Sequence, residues 1–195
     1  ILNVDDCNWE LLYRFIEDFN IEGQMSLDSV GAEDTKKSLN ELIPIAHTMA
    51  QKYDVVITNP PYMGGSGMNT KVSNYVKKHY PDSKSDLFAV FIEKCMNMTK
   101  KNAFQSMITQ HAWMFLSSFE KLRAKLRNIC VVNMAHLGSR AFDEIGGEIV
   151  QTTAFVLRKS NIGYYRAVYE RIVDFSGESD KEMAFLAKEH EFVSP

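Results

Sequence analysis

Four consecutive residues carry most of the chemical information in this chain. Asn59-Pro60-Pro61-Tyr62 directly follows the short apolar run Tyr53–Thr58. Two prolines fix φ and remove two backbone donors, which leaves their carbonyls as acceptors. Asn59 adds a side-chain acceptor, and Tyr62 adds a flat ring. Such a turn suits a planar molecule with an exocyclic amine: the amine donates two hydrogen bonds and the ring stacks on Tyr62. The bland reading of Asn-Pro-Pro alone is a rigid turn that ends a strand. The preceding aspartate, the three β-branched residues and the final tyrosine favour the receptor.

Those residues need a sheet to hold them. Tyr53–Thr58 (YDVVIT) reads as a buried strand of a parallel sheet, and sites in open α/β sheets lie at the carboxyl ends of strands. Upstream, Cys7–Phe19 has Trp9, Leu12, Phe15, Ile16 and Phe19 at helical spacing, followed by a polar patch, Asn20–Asp34. Leu39–Lys52 reads as a second helix with Leu42, Ile45, Ala46 and Met49 inward, and Pro44 suits its first turn. Downstream, Asn59–Lys84 reads as a long loop, and loops of that length are often functional. Ser85 or Asp86 caps a helix running to about Thr99. Strands are expected at Ala103–Thr109, Ile129–Leu137, Ile149–Leu157 and Tyr164–Val168. Between the first two, Ser117 or Ser118 caps a helix over Phe119–Asn128. The alternation predicts a doubly wound α/β fold that closes in an antiparallel hairpin on one edge. Residues 1–175 are expected to form a partial catalytic domain. Residues 176–195 read as a polar, partly helical tail, with the start of a following segment as the alternative.

Composition excludes other classes. The 195 residues are 45% hydrophobic and 24% charged, which is ordinary globular usage. No run of 18 apolar residues offers a membrane span. Three scattered cysteines, Cys7, Cys95 and Cys130, form no zinc spacing and fit a reduced, cytoplasmic compartment. The net charge of -3 means that nucleic-acid binding must come from particular residues or from a region outside this chain. The first residue, Ile1, favours a fragment of something longer.

The string Asp54–Tyr62, D-V-V-I-T-N-P-P-Y, resembles motif IV of the S-adenosylmethionine-dependent amino-methyltransferases, chiefly the N6-adenine DNA methyltransferases. Met63-Gly64-Gly65 and Met68-Asn69 resemble the subgroup of bacterial phage-exclusion (BREX) defence systems. The resemblance runs over about Gln51–Lys159, through Asp86–Glu93 and the segment containing Gly138 and Phe142. It implies transfer of a methyl group from S-adenosylmethionine to the N6 amine of adenine in DNA, in restriction–modification or phage defence. Asn59 and the Pro60 carbonyl would accept from the amine, with positioning and electrostatics doing the catalysis. Tyr62 would stack on an adenine flipped out of double-stranded DNA, with Phe142 as a second aromatic. Asn59, Pro61, Phe91 and Asp28 would contact the cofactor. A target-recognition region is expected outside this chain, and no metal and no membrane are implied.

The chain departs from the family at the cofactor loop. No glycine-rich turn precedes Asn59; Gly23 and Gly31 stand alone, so the isolated chain is expected to be inactive and to bind cofactor weakly. Two alternatives share the tetrapeptide: a protein glutamine N-methyltransferase, and a non-catalytic DNA-binding relic. Weaker features are Gly64-Gly65-Ser66-Gly67, expected to begin a flexible lid, and the basic residues Lys71, Lys77, Lys78, His79 and Lys84, interleaved with Tyr75 and Tyr80, which fit DNA-backbone contact. Lys121, Arg123, Lys125 and Arg127 read as a solvated helix face. His47, His111, His136 and His190 show no metal spacing.

Overall fold

The apolar run Tyr53–Thr58 does form a strand, β1, and the chain around it builds a mixed α/β sheet. The computed structural model describes residues 7–18, 27–142 and 150–194, with backbone only at 27–30 and 32. Two compact units result, Ile1–Lys52 and Tyr53–Pro195.

The first unit contains α1 (Trp9–Asp18) and α2 (Leu27–Ala50). Asn8 starts α1 by accepting from the Leu11 N–H at 3.0 Å. The His47 ring stacks on Trp9, with centroids 4.7 Å apart, and its Nδ1 lies 3.3 Å from the Tyr13 hydroxyl. α2 is longer than its sequence suggests. It starts twelve residues before the expected Leu39, with Pro44 inside it rather than in its first turn. Its buried residue is Ile43, while Leu42, Ile45 and Met49 stand exposed. His47 marks the face that meets α1, and the wider apolar stripe does not.

The second unit holds the six-stranded sheet, in the order β1-β2-β4-β3-β5-β6. The further strands are β2 (Thr99–Gln110), β3 (Cys130–Gly138), β4 (Thr152–Arg158), β5 (Val168–Arg171) and β6 (Glu191–Val193). β1 runs parallel to β2, with Thr58 opposite Met107. The antiparallel hairpin exists but is not at an edge: β4 sits between β2 and β3 and pairs antiparallel with both. The last parallel strand begins at Val168, where the sequence places its end, because Val168 and Glu170 fit the register against β3. The sheet continues past residue 175, since β6 pairs with β5. Of the strand expected at Ile149–Leu157, Ile149 lies outside the described residues.

The core lies between the sheet and α4 (Leu87–Met98). Phe88, Ala89 and Ile92 of α4 meet Met107, Phe155 and Leu157 of the sheet, all nearly or fully buried. Losing one such large side chain costs about 3–5 kcal/mol. The expected loop Asn59–Lys84 contains a helix, α3 (Thr70–His79), capped by Asn69, whose Oδ1 accepts from Val72 N–H at 3.0 Å. Turn-forming glycines on one side and Pro81 on the other hide this short helix in the sequence. α5 (Glu120–Leu126) is not capped by a serine hydroxyl; Ser117–Phe119 form a 3-10 turn that leads into it. Between Gly177 and β6, α6 (Glu178–Ala187) packs Lys181 and Ala184 inward.

Candidate active site

Asn59 leaves the carboxyl end of β1 beside the end of β2, because the two strands are parallel and in register there. The turn it opens is fixed by α4. Asp86 caps α4, accepting from the Phe88 N–H at 3.3 Å, and the same Oδ1 accepts from the Met63 N–H at 2.9 Å. The Leu87 N–H donates to the Met63 carbonyl at 3.0 Å, and the Gly65 N–H to the Ser85 carbonyl at 3.2 Å. The residue after Tyr62 is therefore tied to the start of a buried helix by bonds in both directions. Burial raises the Asp86 carboxyl above its ordinary value, and the backbone donors of Met63, Phe88 and Leu87 oppose that rise.

Tyr62 is half-buried, with its ring edge-on to Phe88 at 6.1 Å and 85°. Burial holds its hydroxyl above the ordinary phenol value, so it stays neutral. Beside it opens a cleft of about 70 Å³ lined by Asn59, Tyr62, Arg140, Ala141, Phe142, Val150 and Thr152. The structure thus brings Phe142 to Asn59 and Tyr62, although it lies far from them in sequence. The far wall depends on Gly138, which ends β3 at φ +73°; a Cβ there would stand 2.9 Å from the Cβ of Val173. Arg140, at φ 55°, completes the bend that returns Phe142 to the cleft.

Other expected residues lie elsewhere. Phe91 is half-buried against the α4 core and does not line this cleft. Pro61 is exposed and Pro60 buried. Asp28 falls in the first turn of α2 rather than in a polar loop, and its side chain lies outside the described residues. Gly23 is outside them too. Gly31 lies within α2, with nothing within 4 Å of an added Cβ, so it is no close-approach cradle. Gly64-Gly65-Ser66-Gly67 forms a tight turn, with Gly67 N–H donating to Gly64 O at 2.9 Å, and Gly64 pairs with Asp86, which pins the segment expected to open a lid.

Sequence reasoning misses Arg140 and Thr152 in the cleft wall. The available signal is Gly138-Ser139-Arg140 at a strand end, a turn that needs left-handed backbone. Among the described residues, no group of three or more His, Cys, Asp or Glu could hold a metal ion, and no helix is long and apolar enough to cross a membrane.

The family model described as Eco57I restriction-modification methylase matches residues 4–142. The chain belongs to this family. The match begins well upstream of Gln51, so the helical first unit is part of the family pattern. Over 164 residues the chain is 47% identical to the adenine-specific methyltransferase PglX of Lacticaseibacillus casei (strain Zhang), covering 84% of this chain and 14% of that protein. It is 48% identical over 150 residues to the adenine-specific methyltransferase BrxX of Escherichia coli O9:H4 (strain HS), covering 75% of this chain and 12% of that protein. The chain therefore spans about one seventh of these relatives' length. Among solved structures it resembles DrdV in complex with DNA, with a TM-score of 0.58 at 16% identity over 80% of this chain and 18% of that one. A Listeria monocytogenes protein assigned to the class I S-adenosylmethionine-dependent methyltransferases gives a TM-score of 0.50 at 18% identity, over 71% and 42% of the two chains. These likenesses establish the class I methyltransferase fold for the sheet.

Proposed function

We propose that this segment of the Eco57I-family methylase receives the target adenine in an adenine-specific DNA methyltransferase of the phage-exclusion type. The observation that carries the reading is the cleft that unites Asn59, Tyr62 and Phe142 at the carboxyl end of β1. The curated relatives named as adenine-specific methyltransferases support it. In this role Asn59 Oδ1 and the Pro60 carbonyl accept hydrogen bonds from the two N6 hydrogens. That orients the nitrogen lone pair and stabilises the positive charge that grows on it. One of the two hydrogens leaves to solvent as a proton once the nitrogen carries the methyl group. Tyr62 and Phe142 hold the flipped base by its faces, and their apolar rings exclude water. The tie from Asp86 to Met63 keeps the acceptors in place without reorganisation at the moment of reaction.

S-adenosylmethionine supplies the methyl group as an activated sulfonium methyl. The described residues fit the acceptor side of such a reaction. Exposed Pro61 and half-buried Phe91 offer apolar surface to a donor, but no described glycine turn in this chain cradles one. The donor's remaining contacts, and a target-recognition region, belong to the rest of the full-length protein.

The test is labelled methyl transfer from S-adenosylmethionine to duplex DNA by the full-length protein, with nucleoside analysis of the product. N6-methyladenine is expected, and Asn59→Ala is expected to lower kcat by about 10²–10³-fold, roughly 3 kcal/mol, while duplex binding persists. Label in protein instead of DNA would replace this reading with the glutamine one, and unchanged turnover in the variant would remove Asn59 from the reaction.

A further inference from the structure

Two helices of the second unit are rich in lysine and arginine, and they use these cations in opposite ways. On α5, the Arg123 guanidinium donates to the carbonyls of Trp113 and Leu116 at 2.8 and 2.7 Å. Lys125 Nζ lies 2.8 Å from Asp82 and 2.6 Å from Glu93. Both cations are committed inside the fold. On α3, Lys71, Lys77 and Lys78 are exposed, and none forms an ion pair among the described residues. α3 carries no acid at all.

α3 is not a loose basic loop. Val76 is buried, and with Met68 and Val90 it forms a small core to which Val72, Tyr80 and Leu87 add. That core clamps α3 onto α4, whose cap Asp86 holds Met63 beside Tyr62. With Val72 and Val76 inward, 3.6-residue periodicity turns Lys71 and Lys78 to the opposite side, with Asn74 and Tyr75 between them and Lys77 on the flank. The Tyr75 ring is more than half exposed and packed against His79 at 4.6 Å. A rigid, acid-free stripe of ammonium groups around an aromatic ring complements a polyanionic backbone.

We infer that the outer face of α3 is a phosphate-binding surface for duplex DNA flanking the target base, an inference that rests on the DNA reading of the cleft. Lys71, Lys77 and Lys78 neutralise backbone phosphates and place the duplex over the cleft, without reading its sequence.

The experiment measures binding of the full-length protein to a fluorescent duplex by anisotropy from 50 to 200 mM salt, beside labelled methyl transfer to the same duplex. Each phosphate contact adds about 0.9 to the slope of log affinity against log salt. Lys71→Ala/Lys77→Ala/Lys78→Ala is therefore expected to flatten the affinity loss across that range by about 40-fold. It is also expected to raise KM for DNA, with kcat at saturating DNA retained. The triple arginine variant is expected to restore the slope, which a merely structural role for the lysines would not require. An alanine variant with wild-type affinity and slope, beside a wild type that methylates DNA, would overturn the α3 surface and leave the cleft reading standing. A wild type that neither binds nor methylates duplex would overturn the cleft reading itself, and the α3 surface with it.

Discussion

The cleft at the end of β1 and the opposite flank of the sheet, where β5 meets α6, divide polar chemistry in an unexpected way. The groups proposed to act on substrate, Asn59 of the cleft and the neighbouring Pro60 carbonyl, do not titrate, and Tyr62 is held neutral. The β5 flank gathers three further groups shifted by burial, while at the cleft the shifted carboxyl, Asp86, serves as a helix cap. Burial lowers Lys181, burial and the neighbouring Glu191 raise Glu170, and burial together with His111, Arg171 and Lys181 lowers His136. Perturbed ionisation often marks an active site. Under the proposed function it marks structure here, because methyl transfer to an amine calls for placed acceptors rather than a poised acid or base.

Two substitutions on the β5 flank, and one at the bend that leads from β3 to the cleft, test that division. The largest effect is expected at Lys181, which is buried and whose ammonium donates to the Leu137 and Ile172 carbonyls at 2.7 and 2.9 Å. Lys181→Met leaves both carbonyls without that donor and is expected to cost about 2 kcal/mol, a fall of about 4–8 °C in melting temperature. Methyl transfer per folded molecule is expected to survive; a selective loss of kcat with stability intact would move this flank into the reaction. Gly138→Ala comes next. It places a side chain at φ +73° and against Val173, at a cost of about 1–2 kcal/mol. Since Gly138 aims the Phe142 wall, this variant is expected to weaken DNA methylation as well, seen as a rise in KM for a duplex substrate.

The smallest effect is expected at Glu170. Its carboxyl is buried, its Oε1 has no hydrogen-bond partner among the described residues, and it faces Glu191 across the β5–β6 pair. Its folded value lies above the ordinary 4.5, so the folded state favours the protonated form. The stability this group contributes is complete below pH 4.5 and is lost as pH rises through the raised value. Glu170→Gln is therefore expected to stabilise at pH 7–8 by about 0.2–1 kcal/mol, with the gain vanishing in mild acid. Melting curves at both pH values check it, and a gain independent of pH would contradict the ionisation argument.

Much of the second unit was legible because local signals agreed. β-branched Val55–Ile57, the cap at Asp86 and the apolar face of α4 each point to one structure. What escaped the sequence depends on distant partners. α3 hides among turn residues because only Val72 and Val76 anchor it, and they need Val90 to do so. The place of β4 inside the sheet follows from pairing on both sides, which no local pattern encodes. The first unit was read less well: the exposed Leu42, Ile45 and Met49 carry the stronger periodicity, yet Ile43 is buried and His47 meets α1. In the cleft, Asn59 and Tyr62 announce themselves by spacing, and Phe142 by resemblance. Arg140 and Thr152 arrive only through the bend at Gly138.

β1 is the terminal strand of the sheet, with Val55 and Ile57 54% and 73% exposed. Such a strand is a template: its outer N–H and C=O groups can recruit a matching strand from a second molecule. Asp54 of β1 spends its charge on Lys100 of the neighbouring strand, at 2.8 Å, rather than on guarding the open edge. Salt screens so exposed a pair. The segment handled by itself is therefore expected to self-associate along β1 as its concentration rises, which its hydrodynamic mass measured against concentration would read.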